Sequence, residues 1–214
     1  MKEHRVEAYW SRFARSYDRD GEYVVGRPIL QAIERRLLQE RSLGDVVEFG
    51  CGTGYWTKVI AGNAQQVVAT DLSDDMLAVA QNGLREFQNV RIQKADCAKA
   101  PLPRGEFDCV LMANLLHVIS RPLQCLQEGY RILREGGVLI AIDFTGYGMR
   151  VSQKVILGLR YLAKWGLPPR QGRDDMSPDE LALLAESAGF KVQDLRLIEA
   201  GSNALYLRGQ KGLG

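Results

Sequence analysis

Histidine and cysteine are scarce in this chain: two and four copies among 214 residues. The cysteines, Cys51, Cys97, Cys109 and Cys125, stand far apart with no CxxC pair. A zinc site needs thiolates or imidazoles grouped at ligand spacing, and a disulfide framework belongs to small secreted chains, so neither is expected. Reduced thiols in a cytoplasmic protein are the simpler reading. Charge of one sign is also missing, because 28 Lys and Arg face 26 Asp and Glu. Such a balance argues against a polyanionic partner, and no nucleic acid is expected. No run approaches the roughly 18 apolar residues of a membrane span, and the opening MKEHRVEAYW lacks the apolar core of a signal peptide. Repeats and low-complexity linkers are absent as well.

What is present is 46% hydrophobic and 25% charged residues, enough for the buried core of one globular α/β domain over 1–214. Short β-branched runs at Val46–Phe49, Gln66–Thr70, Val90–Lys94, Phe107–Ala113 and Gly137–Phe144 read as strands, with helical periodicity between them. Ser73 caps a predicted helix with Asp74 and Asp75 in its first turn and an apolar stripe of Met76, Leu77, Ala80, Leu84 and Phe87. A second helix spans Pro122–Leu133 and is expected to stop at Gly136 and Gly137. Ser177, Pro178 and Glu180 form a capping box for a late helix ending at Gly189; Lys191–Ile198 and Asn203–Arg208 then complete the sheet. Strand–helix alternation implies a parallel sheet with helices on both faces and ligands beyond the carboxyl ends of its strands.

The first of those ends reads VVEFGCGTGYW, with Gly50, Gly52 and Gly54 at every second position after Glu48. Glycines here let a ligand approach the backbone. Dinucleotides and S-adenosylmethionine both use such loops. The dinucleotide pattern wants a third small residue at 55, where this chain has Tyr55, and a carboxylate at 48 would repel a pyrophosphate. A sulfonium or ammonium ligand suits Glu48 better.

In order along the chain, VVEFGCGTGYWTKVIA, VVATDLSDDMLAVA, KADCAKAPLP and FDCVLMANLLHVI with ILREGGVLIAIDF resemble the motifs of class I S-adenosylmethionine-dependent methyltransferases. The match runs from Val46 to Phe144 and is most similar to the ubiquinone/menaquinone-biosynthesis type and its small-molecule relatives. Glu48 departs from the family's commoner Asp, and Glu135 from its Pro. The resemblance implies a Rossmann-like α/β fold with a seven-stranded, mostly parallel sheet, an N-terminal lid helix and an inserted helix after strand five. It divides the chain into lid helices (1–40), a cofactor-binding core (45–144), a substrate-cover insertion (146–176) and a C-terminal helix with two strands (177–214).

Carried over by position, Glu48 and the loop Gly50, Cys51, Gly52 and Gly54 would surround the methionine moiety. Asp71 would accept both ribose hydroxyls. Leu72 and Met76 would pack on the adenine, Asp96 and the Cys97 backbone N–H would bond it, and the Ala113 carbonyl, with Asn114 beside it, would receive the ammonium. Tyr17 would touch the cofactor's carboxylate. Structural readings compete at single positions, since Asp71 could be a turn former and Met76 plain core.

The implied reaction is methyl transfer by in-line displacement, in which alignment of the nucleophile supplies ~7–11 kcal/mol. S-adenosylhomocysteine would be the product. His117, Asp143 and Tyr147 are the candidates for a proton-accepting or acceptor-holding group, with Tyr17 nearby. Val6, Tyr9, Trp10, Phe13 and Tyr17 stand at helical spacing and fit a single lid helix. RVSQKVILGLRYLAKWG reads as a basic amphipathic helix, with Arg150, Lys154, Arg160 and Lys164 on one side and Val151, Val155, Leu159 and Leu162 on another. It suits a cover for an anionic or lipid-like acceptor, or contact with a membrane surface. Acceptor identity and oligomeric state are open at this level. A non-catalytic cofactor sensor and a nicotinamide-dependent oxidoreductase are the alternative functions.

Overall fold

The computed structural model describes residues 2–167 and 175–213, with backbone only for 2–5. Part of the expected cover insertion, 168–174, lies outside the described residues.

Seven strands form one sheet: β1 (Asp45–Phe49), β2 (Gln66–Asp71), β3 (Val90–Lys94), β4 (Phe107–Ala113), β5 (Leu133–Thr145), β6 (Phe190–Ala200) and β7 (Ser202–Lys211). Their order is β3-β2-β1-β4-β5-β7-β6, parallel through β5, with β7 antiparallel to both β5 and β6. Order reverses between β1 and β4, which opens a crevice past Phe49 and Ala113.

Period-two side chains divide the core between the two faces. On one face Val46, Val67, Leu111, Ile140 and Tyr206 pack under α3 (Arg27–Leu37) and α4 (Tyr55–Ala61), where Ile29, Ile33 and Leu37 are fully buried at helical spacing. Each such burial is worth about 2 kcal/mol. On the other face Val47, Phe49, Val110, Met112 and Leu205 pack under α6 (Pro122–Ile132) and α8 (Pro178–Ser187). Helix α5 (Asp74–Leu84) leans on β2 and β3.

Both capping expectations hold in their local chemistry. Ser73 Oγ accepts the Met76 N–H at 3.2 Å, and Ser177 and Glu180 bond reciprocally. Helix α6 ends at Ile132, ahead of the glycines. Those glycines instead form an irregularity inside β5, where the register with β4 shifts between Phe107 and Cys109. Gly136 has φ +73°, and a Cβ at Gly137 would come within 2.8 Å of the Arg134 carbonyl.

The N-terminus differs from a single lid helix. Helix α1 (Lys2–Ser11) stops, tight turns follow in which Phe13 and Ser16 donate to the carbonyls three residues back, and α2 (Tyr17–Val25) starts. The break lets Trp10 and Tyr17 meet edge to face at 5.6 Å. Helix α7 (Val151–Trp165) forms as expected, and its Leu157, Tyr161 and Trp165 turn toward the N-terminal aromatics. Its Val151, Val155 and Leu159 face outward.

Candidate active site

A cavity of about 1050 Å³ occupies the crevice at the strand ends and is covered by α1, α2 and α7. Its floor begins with the loop after β1, where Gly50 and Gly52 lie at φ +69° and +54° and line the cavity together with Cys51 and Thr53. A Cβ on Gly52 would meet nothing within 4 Å, so this glycine's backbone lies beside open space. Gly54 is different. It caps α4 at φ +83°, lies outside the cavity wall, and a Cβ there would come 2.7 Å from Leu84 of α5. Its role in the structure is close helix packing.

Glu48 also lies outside the wall, which corrects its expected position around the ligand. Alternation along β1 sends Val47 and Phe49 to one face and Glu48 to the other, beneath α4, where Thr57 Oγ1 donates to its Oε2 at 2.5 Å. The carboxyl is fully buried and Oε1 has no partner among the described residues. Burial pushes its pKa up to about 8, against the opposing pull of the Thr57 hydrogen bond.

Asp71 ends β2 and joins two loops: Oδ2 accepts the Gly52 N–H at 2.8 Å and Oδ1 the Ser73 N–H at 2.9 Å. Each oxygen keeps a further lone pair, and the side chain lines the cavity with Leu72 and Met76. Burial raises its pKa above the ordinary carboxylate range while the backbone hydrogen bonds act in the other direction. Past β3, Asp96 and Cys97 line the wall; Asp96 Oδ1 accepts the Ala98 N–H at 2.9 Å. Past β4, Ala113 and Asn114 do the same. Asn114 is held at φ +56°, donating its N–H to the Ile142 carbonyl, and its buried Oδ1 has no partner among the described residues. Backbone strain beside an unmatched acceptor is a ligand-site signature.

His117 follows on the same loop and lines the cavity. Its Nδ1 lies 2.5 Å from Asp143 Oδ1, on a carboxylate at the end of β5 that is wholly buried. Asp143 therefore stands behind His117 rather than in the wall, fixing the ring so that Nε2 is the nitrogen left for the cavity. Tyr147 does not join them. Its side chain is exposed and outside the wall, because Thr145 Oγ1 accepts its N–H and turns the chain away after β5.

The cover is aromatic. Tyr17 stacks on Trp165 at 5.8 Å, Trp10 meets Trp165 edge-on at 5.2 Å, and Tyr161 adjoins both tryptophans. Tyr9 donates its hydroxyl to the Trp165 carbonyl at 2.9 Å, while Trp165 Nε1 is buried without an acceptor among the described residues. Burial and the carboxylates of Asp18, Asp71 and Asp143 push the Tyr17 phenol upward, so it stays protonated. Hydrogen bonds fasten cover to floor, Thr53 Oγ1 to Asp18 Oδ1 at 2.5 Å and Ser11 Oγ with Ser73 Oγ at 2.6 Å. Sequence reasoning missed Thr53, Asp18, Tyr161 and Trp165. The i, i+4 spacing of Tyr161 and Trp165 was the available signal.

The family model described as a methyltransferase domain matches residues 47–141, the stretch supplying the floor. A demethylmenaquinone methyltransferase of Tropheryma whipplei is 28% identical over 225 residues, covering 95% of this chain and 92% of that one. The chain carries a methyltransferase domain and is similar to the S-adenosylmethionine-dependent methyltransferases of class I. Its cofactor is S-adenosylmethionine. Solved S-adenosylmethionine-dependent methyltransferases from Thermotoga maritima (TM-score 0.73, covering 96% of this chain and 99% of that one) and Aquifex aeolicus (TM-score 0.68, covering 94% and 97%) share the fold at 21% identity. Among the described residues of this methyltransferase no helix is long and apolar enough to cross a membrane.

Proposed function

We propose that this methyltransferase methylates a planar, hydrophobic acceptor that gives up a proton, with His117 as general base and Asp143 as the residue that positions it. The observation that carries the reading is the 2.5 Å contact between His117 on the cavity wall and a buried carboxylate. Burying Asp143 costs free energy unless it is matched, and an imidazole gaining a proton would match it.

When bound, S-adenosylmethionine supplies a methyl group on a sulfonium, open to in-line displacement. Asp71 fits the ribose hydroxyls through the lone pairs its two backbone bonds leave. Asp96 and Cys97 fit the adenine, with Leu72 and Met76 as its apolar contacts. The Ala113 carbonyl and Asn114 Oδ1 suit the ammonium, Tyr17 the carboxylate, and Gly50, Cys51 and Gly52 the approach of the methionine moiety. Glu48 and Gly54 are left with structural tasks. The aromatic cover excludes water and packs the acceptor; Trp165 Nε1 is a donor for an acceptor oxygen. His117 Nε2 would accept the proton that the acceptor gives up on methylation, with Asp143 holding the opposite ring nitrogen.

A cavity of about 1050 Å³ exceeds the usual ligand site, leaving room for cofactor and acceptor together. The demethylmenaquinone methyltransferase likeness supports a reduced quinone-like ring with an apolar tail. The direct test incubates the protein with methyl-labelled cofactor and a prenylated demethylnaphthoquinol. Label should reach the quinol, and His117→Asn should lower kcat/KM about 10²–10³-fold with cofactor affinity nearly unchanged. Full activity in that variant sinks the base assignment. Tight cofactor binding with no transfer to the quinol or to any lipid-extract component would favour a sensor.

A further inference from the structure

Helix α7 has two apolar faces, and only one of them is used inside the protein. Leu157, Tyr161 and Trp165 line the cavity, whereas Val151, Val155, Ile156 and Leu159 point outward at 79%, 54%, 50% and 62% exposure. Leu162 and Leu167 line the cavity and are exposed as well, so six of the eleven large exposed hydrophobic side chains among the described residues fall within 151–167, four of them away from the cavity. Tyr23 of α2 extends the patch, with Arg160 and Lys164 over its ring at 5.8 and 5.0 Å. Water makes such a concentration costly, and contiguous exposed apolar area marks a contact surface.

Charge indicates the kind of contact. Between Gly146 and Leu167 there are four basic residues, Arg150, Lys154, Arg160 and Lys164, and no acidic one. Lys154 pairs with Asp175 and Lys164 with Asp20, which leaves Arg150 and Arg160 to set the sign of the face. A positive rim around an aliphatic ridge complements anionic headgroups above an acyl layer.

We infer that the outer face of α7, with Tyr23, docks this methyltransferase onto an anionic lipid surface. Docking there puts the cavity's own roof against the lipid, so a lipid-dissolved acceptor reaches the cavity around one helix without crossing water. The inference rests on the proposed hydrophobic acceptor for its purpose, but its test does not.

The full chain should sediment with vesicles of about one quarter phosphatidylglycerol in phosphatidylcholine, more weakly with phosphatidylcholine alone, and less at about 0.5 M salt. The double variant Val155→Glu, Leu159→Glu, at two positions outside the cavity wall, should lose vesicle association about 10-fold or more. Its calorimetric affinity for S-adenosylhomocysteine and its methyl transfer to a short-tailed, water-soluble acceptor should stay at wild-type values. Wild-type protein that ignores the anionic vesicles, or a double variant that binds them equally, overturns the docking. So does a concentration-dependent dimer that the double variant dissolves while vesicles are ignored, since a second copy would then own the face. Vesicle binding without methyl transfer to any acceptor would leave the docking standing and remove the proposed function instead.

Discussion

The floor of the cavity comes from residues 50–53, 71–76, 96–97 and 113–117, each a short step past a parallel strand, whereas its cover comes from residues 6–18 and 154–165. The floor is fixed largely by backbone: Asp71 fastens two loops through main-chain N–H groups, and Asn114 is pinned by the Ile142 carbonyl. The cover is fixed by side chains, through aromatic edges and stacks and hydroxyl contacts to the floor. A backbone-built floor suits a cofactor that never changes. An aromatic cover can be re-lined for a new acceptor without disturbing the sheet.

Three perturbations sharpen that contrast, beginning with the largest. Glu48 lies beneath the floor, and burial raises its pKa from 4.5 to about 8. The unfolded chain therefore loses this proton first as pH rises. Stability falls between about pH 4.5 and 8 and levels off above, by at most about 5 kcal/mol from this group. In Glu48→Gln the difference from wild type should be small at pH 5 and clearly stabilising at pH 8, read by denaturant unfolding at both. A variant that follows the wild-type slope would show that Glu48 is already ionised in the fold.

Next, Asp71→Ala should weaken S-adenosylhomocysteine binding about 100-fold in calorimetry, near 2.7 kcal/mol, because it removes the proposed ribose acceptor and frees two loop N–H groups. Unchanged affinity would mean that Asp71 organises loops and nothing more. The smallest effect belongs to the cover. Trp165→Phe keeps a stacking ring but deletes the Nε1 donor, which has no acceptor among the described residues, and should raise the acceptor KM about 10-fold while leaving cofactor affinity within about 2-fold. If cofactor affinity fell equally, cover and floor would not be separable.

Legibility in the sequence followed the same division. The strand runs, the Ser73 and Ser177 caps and the position of each loop could be read from periodicity and cap chemistry, which are local. Glu48 was misplaced because adjacency to a glycine loop does not say to which face of a strand a side chain points. Gly54 was misread because its neighbour Leu84 lies thirty positions away. The break between α1 and α2 was hidden, since Val6, Tyr9, Trp10, Phe13 and Tyr17 also satisfy an unbroken helix.

Local pattern by itself determined that a parallel sheet would form and that its first carboxyl ends would present glycine, Asp71, Asp96 and the Ala113–Asn114 step. Short-range chemistry suffices there, because caps, turns and β-branched runs act over a few residues. Tertiary structure alone decided that His117 would meet Asp143 twenty-six positions on, that Trp10 would lean on Trp165, and that one aliphatic face of α7 would be left toward solvent. Those outcomes depend on how separate elements share space around one cavity, and no single segment carries that information.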